Sequence, residues 1–394
     1  MKYWRGYLTA AILGAFTWML MTFARDHIMV LDMFYPYATR LIQDSLAVWS
    51  GGVDFCLWQV IAVALVVALL ASVVLMIVLR WNPIQWLGWV CAVASALFFL
   101  HTAIYGLNTY AGPLAEDIRL ESPEEFTETQ LEAATEYYLE KANALSLRVP
   151  RDKNGDLSYP EFEELAEMAG DGFHTLTYDY MFPIFAGSTE PVKKLAWGDV
   201  YSSMGITGIT MGMTGEAAVN PDIPVVSLPF TMCHEMAHRM CIAVERDANF
   251  AGFLACMANE RVEFQYSGYF MAFRYCYNAL VTLGTDYAGK AASRIYDSID
   301  PQLMRDLTNY REYFEVKRDD TAANIANTAN DTYIKASGDE QGVASYGDVC
   351  ELLVSWHIQQ VVLPNQVPTE KPFDPYDTSK IDLSTTITPP GEDD

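Results

Sequence analysis

Three runs without a single charged side chain, residues 7–24, 55–79 and 81–105, constrain most strongly what this chain can fold into. At 1.5 Å of rise per helical residue, each is long enough to cross roughly 30 Å of hydrocarbon. A helix buried in a soluble core seldom lacks a polar face over such a length, and Gln59 is the one amide in the second run. Pro83 stands near the start of the third, so membrane spans are expected at about 7–24, 55–79 and 84–105. Trp4, Trp49, Trp58, Trp81, Trp86 and Tyr105 lie at the run ends, where an interfacial aromatic belt would place them. Lys2 and Arg5 precede the first run as in a secretory signal, but no small-x-small cleavage site follows it, and a retained anchor is expected.

Orientation is nearly balanced, with Lys2, Arg5 and Arg80 on one side and Arg25, Arg40 and Arg119 on the other. The leading helix usually sets the topology, and an inside N terminus followed by three spans places everything after residue 106 outside the cytoplasm. The chain carries a formal charge of −25, and the acidic excess lies beyond residue 110. Such a surface repels nucleic acid and anionic lipid headgroups, so neither is expected as a partner of that region, whereas the bilayer itself is. The seven cysteines follow no zinc-finger or paired-disulfide spacing.

The chain divides by composition into a membrane anchor over 1–110, a domain over 111–363 and a proline-rich acidic tail over 364–394 that is expected to be disordered. Within the domain, periodicity predicts helices over 121–147, 161–169, 178–185, 250–257, 269–283, 301–317 and 346–362. Arg274 and the surrounding tyrosines make 269–283 a core helix rather than a fourth span. Residues 204–213 suit a strand, Val225 and Val226 a second short one, and 215–220 a turn. The fold class expected is mainly α: three N-terminal transmembrane helices, then a helical domain with a small sheet. Residues 152–162 look like a calcium loop, but Leu157 stands where the sixth-position Gly must be, and a polar turn is the reading.

His234-Glu235-Met236-Ala237-His238 carries the chemistry. On a helix, this pentapeptide sets two imidazoles one turn apart with a carboxylate beside them, the arrangement of a catalytic zinc site. Pro229 opens that helix. Zinc in a hydrolytic site needs a third protein ligand and one open position. Glu245, in Glu245-Arg246-Asp247-Ala248-Asn249-Phe250, is similar to the downstream element that supplies it in zinc peptidases of the glutamate-ligand class. On one unbroken helix, Glu245 would lie about 10 Å further along the axis than His238, so the helix must bend or end between Arg239 and Val244. Asp247 is the reserve ligand or a hydrogen-bond partner of a ligating histidine. Glu235 is the expected general base. Tyr266, Tyr333 and His174 are chemically suited to stabilise an oxyanion. The stretch holding Gly205, Ile206, Thr207 and Gly208 is a candidate edge strand for substrate.

Gly208, Thr214 to Asn220, Pro229-Phe230-Thr231, the His234 to His238 motif, Glu245 to Phe250, Tyr266 to Tyr269, Asn330 to Tyr333 and Ser345 to Gly347 together carry a resemblance over most of the chain. They resemble an uncharacterised family of bacterial multi-pass membrane proteins, classed as a domain of unknown function and similar to zinc metallopeptidases. The resemblance implies a membrane-anchored, zincin-like (gluzincin-type) α+β domain and supplies no substrate. Two residues depart from expectation: Arg239 follows the second histidine, where such helices are uncharged, and Cys241 stands where the family has Gly. The activity expected is zinc-dependent hydrolysis of peptide bonds by a multi-pass protein of the cell membrane. The alternatives are a non-peptide amide or ester hydrolase, or a catalytically silent scaffold or sensor that keeps the fold.

Overall fold

The computed structural model describes residues 4–121, 126–337 and 349–366, with side chains at all of these except 329–337 and 365–366. Among them, three helices are long and apolar enough to cross a membrane: α1 (Arg5–Asp26), α3 (Leu57–Val78) and α4 (Pro83–Ile104). They coincide with the three charge-free runs. Helices α1 and α4 run side by side, and a Cβ at Gly6 would come within 2.4 Å of the Gly88 carbonyl carbon, so glycine sets their close approach.

A further helix, α2 (Ile28–Gly51), lies between α1 and α3 and was not legible as one. Asp32, Arg40 and Asp44 interrupt its apolar count and Pro36 reads as a breaker, yet these charges face the protein rather than lipid. Arg40 donates from Nε to the Met240 carbonyl (3.3 Å) and from Nη1 to the Pro183 carbonyl (3.2 Å). Gln43 Nε2 donates to the Gly212 carbonyl at 2.8 Å, and Asp44 Oδ1 accepts from the Ser188 N–H at 2.7 Å. The division at residue 110 is therefore crossed in space: α2 belongs as much to the following domain as to the anchor.

That domain is built from α5 (Leu114–Asp117), α6 (Glu128–Ser146), α7 (Phe162–Tyr178), α8 (Gly198–Ser203), α9 (Leu228–Arg239), α10 (Glu245–Ala258), α11 (Val262–Thr282), α12 (Asp286–Asp297), α13 (Pro301–Lys317), α14 (Asp320–Ser337), α15 (Val349–His357) and α16 (Leu363–Gln366). A small sheet, β1 (Lys193–Lys194), β2 (Gly208–Met211) and β3 (Glu216–Val219), has the order β1-β3-β2, with β1 parallel and β2 antiparallel to β3. The core gathers Tyr138, Phe173, Phe250, Phe253, Phe264 and Phe270 from α6, α7, α10 and α11. Helix α11 is a core helix, as Arg274 implied, and the Arg274 guanidinium lies 3.8 Å from the centre of the Tyr310 ring.

Several expected boundaries move for identifiable reasons. Helix α6 starts at Glu128, where Thr127 and Gln130 form a capping box, and residues 122–125 lie outside the described residues. The helix expected at 161–169 runs on to Tyr178 as α7, and the one expected at 178–185 is absent: the chain leaves α7 there and makes only a 3-10 turn at Pro183–Phe185. The strand expected over 204–213 shortens to β2, because Gly205 (φ +74°) terminates α8: its N–H donates to the Ser202 carbonyl and the Ile206 N–H to the Tyr201 carbonyl, the two bonds of a Schellman cap. Residues 215–220 are not a turn throughout. Gly215 (φ +66°) turns, and Glu216–Val219 is the fully buried central strand, disguised in sequence by a charge and two alanines. Val225–Ser227 is a 3-10 turn rather than a strand. The helix expected over 346–362 is α15 continued by a π turn at Ile358–Val362, and the tail beyond residue 366 lies outside the described residues.

Glu216 explains why β3 tolerates a charge at its first, buried position. Its Oε1 and Oε2 accept from the Leu57 (2.7 Å) and Trp58 (2.8 Å) N–H groups, the unpaired donors of the first turn of α3. Lys193 Nζ neutralises it at 2.8 Å and also donates to the Ser50 and Phe55 carbonyls. One buried ion pair thus joins the sheet, the end of α2 and the start of an apolar membrane helix, with the anion at the positive end of the α3 dipole. Replacing Glu216 with Ala leaves Lys193 buried and unpaired, and a loss of about 3–5 kcal/mol is expected. Thermal unfolding of the full chain in nanodiscs reads this as a clear drop in Tm; an unchanged Tm would contradict the role.

Candidate metal centre

The motif helix α9 begins with Pro229 in its first turn, and the Phe230 N–H, one of the donors left open there, donates to Ser267 Oγ of α11 at 3.0 Å. It ends at Arg239. The Cys241 N–H donates to the His238 carbonyl (2.9 Å) and the Ile242 N–H to the Ala237 carbonyl (3.1 Å), so a Schellman cap closes the helix with Cys241 in the left-handed position at φ +70°. This is the position at which glycine is cheapest, which accounts for the glycine expected there. The chain then reverses and starts α10 at Glu245. The break between Arg239 and Val244 that the spacing required is this turn.

The reversal brings the third carboxylate to the histidine pair. His234 Nε2 and His238 Nε2 stand 3.1 Å apart, and Glu245 Oε2 lies 3.4 Å from the first and 3.5 Å from the second. Four-coordinate zinc with bonds of about 2.0–2.2 Å separates neighbouring ligand atoms by roughly 3.3 Å, and the three edges measured bracket that value. Glu245 Oε2 is buried and has no hydrogen-bond partner among the described residues, although two ring nitrogens face it. Three donors of the right chemistry therefore converge on one point.

The surrounding bonds orient the ligands. His238 Nδ1 is 2.9 Å from the Ile242 carbonyl, which accepts its hydrogen bond and turns Nε2 toward Glu245. Gly252 of α10 packs on the His234 backbone, where a Cβ would sit 3.2 Å from the His234 nitrogen. Burial alone would depress the His238 imidazolium, but the Glu245 carboxylate outweighs it and lifts the group to about 9. Burial likewise opposes ionisation of Glu245, yet the two imidazoles hold its carboxyl far below the usual range. Both shifts express one attraction, between the Glu245 carboxylate and the imidazoles.

Glu235 is buried beside the trio, and burial raises its carboxyl above the usual range against the pull of both histidines. Thr210 Oγ1 of β2 is 2.8 Å from Glu235 Oε2 and 2.8 Å from the Glu235 carbonyl. Gly208 makes room for it: a Cβ there would fall 2.4 Å from Glu235 Oε1. Neither Thr210 nor the reason for Gly208 was evident in the sequence, because both act across a sheet-to-helix contact that spacing does not encode.

The remaining expected residues are elsewhere. Asp247 is not part of the trio; its Oδ2 accepts from the Leu114 N–H at 3.0 Å, capping α5, and its Oδ1 pairs with Arg246. Tyr266 donates to Asp306 Oδ2 (2.5 Å), inside a buried network where Arg151 grips the same carboxylate with two bonds, so its hydroxyl is committed to packing α11 against α13. This network also pins the polar turn at 152–156 through Arg305 and Asp156. His174 lies exposed on α7 against Tyr178. Tyr333 falls on α14, and its side chain is outside the described residues. Of the edge-strand residues, Gly208 opens β2, whereas Gly205, Ile206 and Thr207 form the turn before it. Arg239 is buried and points away from the trio, donating to the Ser188 and Glu190 carbonyls; burial lowers its guanidinium to about 10, with Glu190 and Asp44 opposing.

The chain belongs to the family described as "Protein of unknown function (DUF3810)", whose profile matches residues 32–354. No curated protein and no solved structure matches it.

The left-handed turn at Cys241 is open to a direct check. Cys241→Gly is expected to hold stability within about 1 kcal/mol of wild type, and Cys241→Val to lose roughly 1–3 kcal/mol because a β-branched residue is worst in this conformation. Equal melting temperatures for the Val variant and wild type would contradict the assignment. Gly208→Ala is expected to disturb Glu235 while leaving the trio able to bind metal, measured as retained metal content with a lowered Tm.

Proposed function

We propose that this member of a family of unknown function is a membrane-anchored zinc hydrolase of peptide bonds, in which His234, His238 and Glu245 hold the metal and Glu235 is the general base. The observation that carries the reading is the convergence of His234 Nε2, His238 Nε2 and Glu245 Oε2 with edges of 3.1, 3.4 and 3.5 Å. When bound, zinc would supply Lewis acidity and lower the pKa of a water at the open corner to about 7. Two nitrogens and one carboxylate oxygen, with a corner left open, are the ligand set of hydrolytic rather than structural zinc.

The chain's own residues account for the rest. Thr210 holds one oxygen of Glu235, and Gly208 leaves space beside the other, so the carboxylate keeps one orientation. Glu235 takes a proton from the attacking water and returns it to the leaving amine, a role helped by a carboxyl whose affinity for protons burial has raised. Strand β2 pairs with β3 on one side, and its other edge offers an extended peptide main-chain hydrogen bonds close to Glu235. The buried engagement of Arg239 and the left-handed Cys241 explain both departures from the peptidase pattern structurally, so neither supports a silent scaffold. With an inside N terminus, three crossings would put this domain outside the cytoplasm, the side we propose for it.

The test uses the full chain in nanodiscs. Near one zinc per chain is expected in wild type and in Glu235→Gln, and a loss of most of it in His238→Ala and Glu245→Ala. Cleavage of a mixed peptide library should fall by about 10²–10⁴-fold in Glu235→Gln. Zinc retained by both ligand variants would overturn the ligand set; cleavage unaffected in Glu235→Gln would overturn the mechanism.

A further inference from the structure

Helix α2 presents two faces of opposite chemistry over its whole length. The inner face carries Arg40, Gln43 and Asp44 into the hydrogen bonds with Met240, Pro183, Gly212 and Ser188. On the outer face, no exposed position carries a charge or an amide, and the hydroxyls there are those of Tyr37 and Ser45. Met29 is 86 % exposed, Leu41 69 % and Trp49 63 %, far more apolar surface than a water-facing helix presents.

The 24 residues of α2 measure about 36 Å at 1.5 Å per residue, enough to cross a bilayer, so length alone does not say how it lies. The positions of its ends do. Its first half meets the C-terminal ends of α1 and α4: Leu31 packs with Ala24 and Leu107, and the Tyr35 hydroxyl donates to the Thr102 carbonyl at 2.9 Å. Its C-terminal end meets the first turn of α3, where Lys193 Nζ bonds both the Ser50 and Phe55 carbonyls and Glu216 caps Leu57 and Trp58. Those three span ends all adjoin the domain, and α2 links them.

Two other exposed apolar groups stand beside these contacts. Tyr178 ends α7, and Tyr180 and Met181 follow it just before Pro183, the carbonyl partner of Arg40. Trp197 follows Ala196, whose N–H and carbonyl both bond Gln59 in the first turn of α3.

We infer that α2 is an in-plane membrane helix, its outer face sunk into the boundary between headgroups and acyl chains and its inner face forming the platform on which the His238–Glu245 turn rests. A lipid surface is the occupant because the strip is continuous with three span ends, carries no charge and runs the full length of the helix. The inference is independent of any reaction: it concerns where the centre is held, not what it does.

Spin labels decide it. In the full chain in phosphatidylcholine–phosphatidylglycerol nanodiscs, cysteine is introduced singly at Met29, Met33, Tyr37, Leu41 and Val48 and labelled, with the unmutated chain as background and Tm as the folding control. Immersion depth is read from collisions with oxygen against a water-soluble nickel chelate. All five positions are expected at one shallow depth, roughly 5–10 Å below the headgroups. A depth that changes steadily from position 29 to 48 would show a crossing helix, and nickel-dominated collisions at these positions would show a face in water or under protein; either result overturns the proposal.

Discussion

The reversal after Arg239 is the constraint on which this structure depends. Two histidines on one helix and a carboxylate eleven residues beyond the first cannot meet if the helix continues. The Schellman bonds from Cys241 to His238 and from Ile242 to Ala237 stop it, and the Ile242 carbonyl freed on the far side of the turn receives His238 Nδ1. One turn therefore ends α9, orients the His238 ring and delivers Glu245. The cost of a non-glycine left-handed residue, roughly 1–2 kcal/mol, is small beside the burial the turn permits.

That turn is held from the membrane side. Arg40 bonds the Met240 carbonyl, and the Tyr105 hydroxyl, just beyond α4, donates to the His238 carbonyl at 3.1 Å. Tyr105 also lies so close over Gly212 that a Cβ there would meet its ring at 2.4 Å, which ties the β2–β3 turn to the same tyrosine. Glu216 and Lys193 repeat the device at the start of α3. The N-terminal helices are thus part of the architecture around His234, His238 and Glu245, and a chain cut at residue 110 would lose Arg40, Gln43 and Tyr105 together. The family match begins at residue 32, inside α2, in keeping with that unity.

The spans and the meeting of His234, His238 and Glu245 were legible because each rests on a local signal: unbroken apolar length, and imidazoles at helical spacing beside a recognisable downstream glutamate. What escaped was decided by contacts between distant segments. Helix α2 was hidden because its charges, which in an isolated reading argue against a membrane location, are consumed by Met240, Pro183 and Ser188. Strand β3 was hidden because Glu216 is a cap for a helix about 160 residues earlier in the chain. Tyr266 and Asp247 had the right chemistry for the site, but Asp306 and the Leu114 N–H had prior claim on them.

The central claim is that two imidazole nitrogens and one carboxylate oxygen surround a single metal ion. Zinc K-edge X-ray absorption of the full chain measures that directly. Nitrogen and oxygen neighbours only are expected, at about 2.0–2.2 Å, with two imidazoles in the more distant scattering. A sulfur contribution near 2.3 Å, or a single imidazole, would place the metal elsewhere and contradict it.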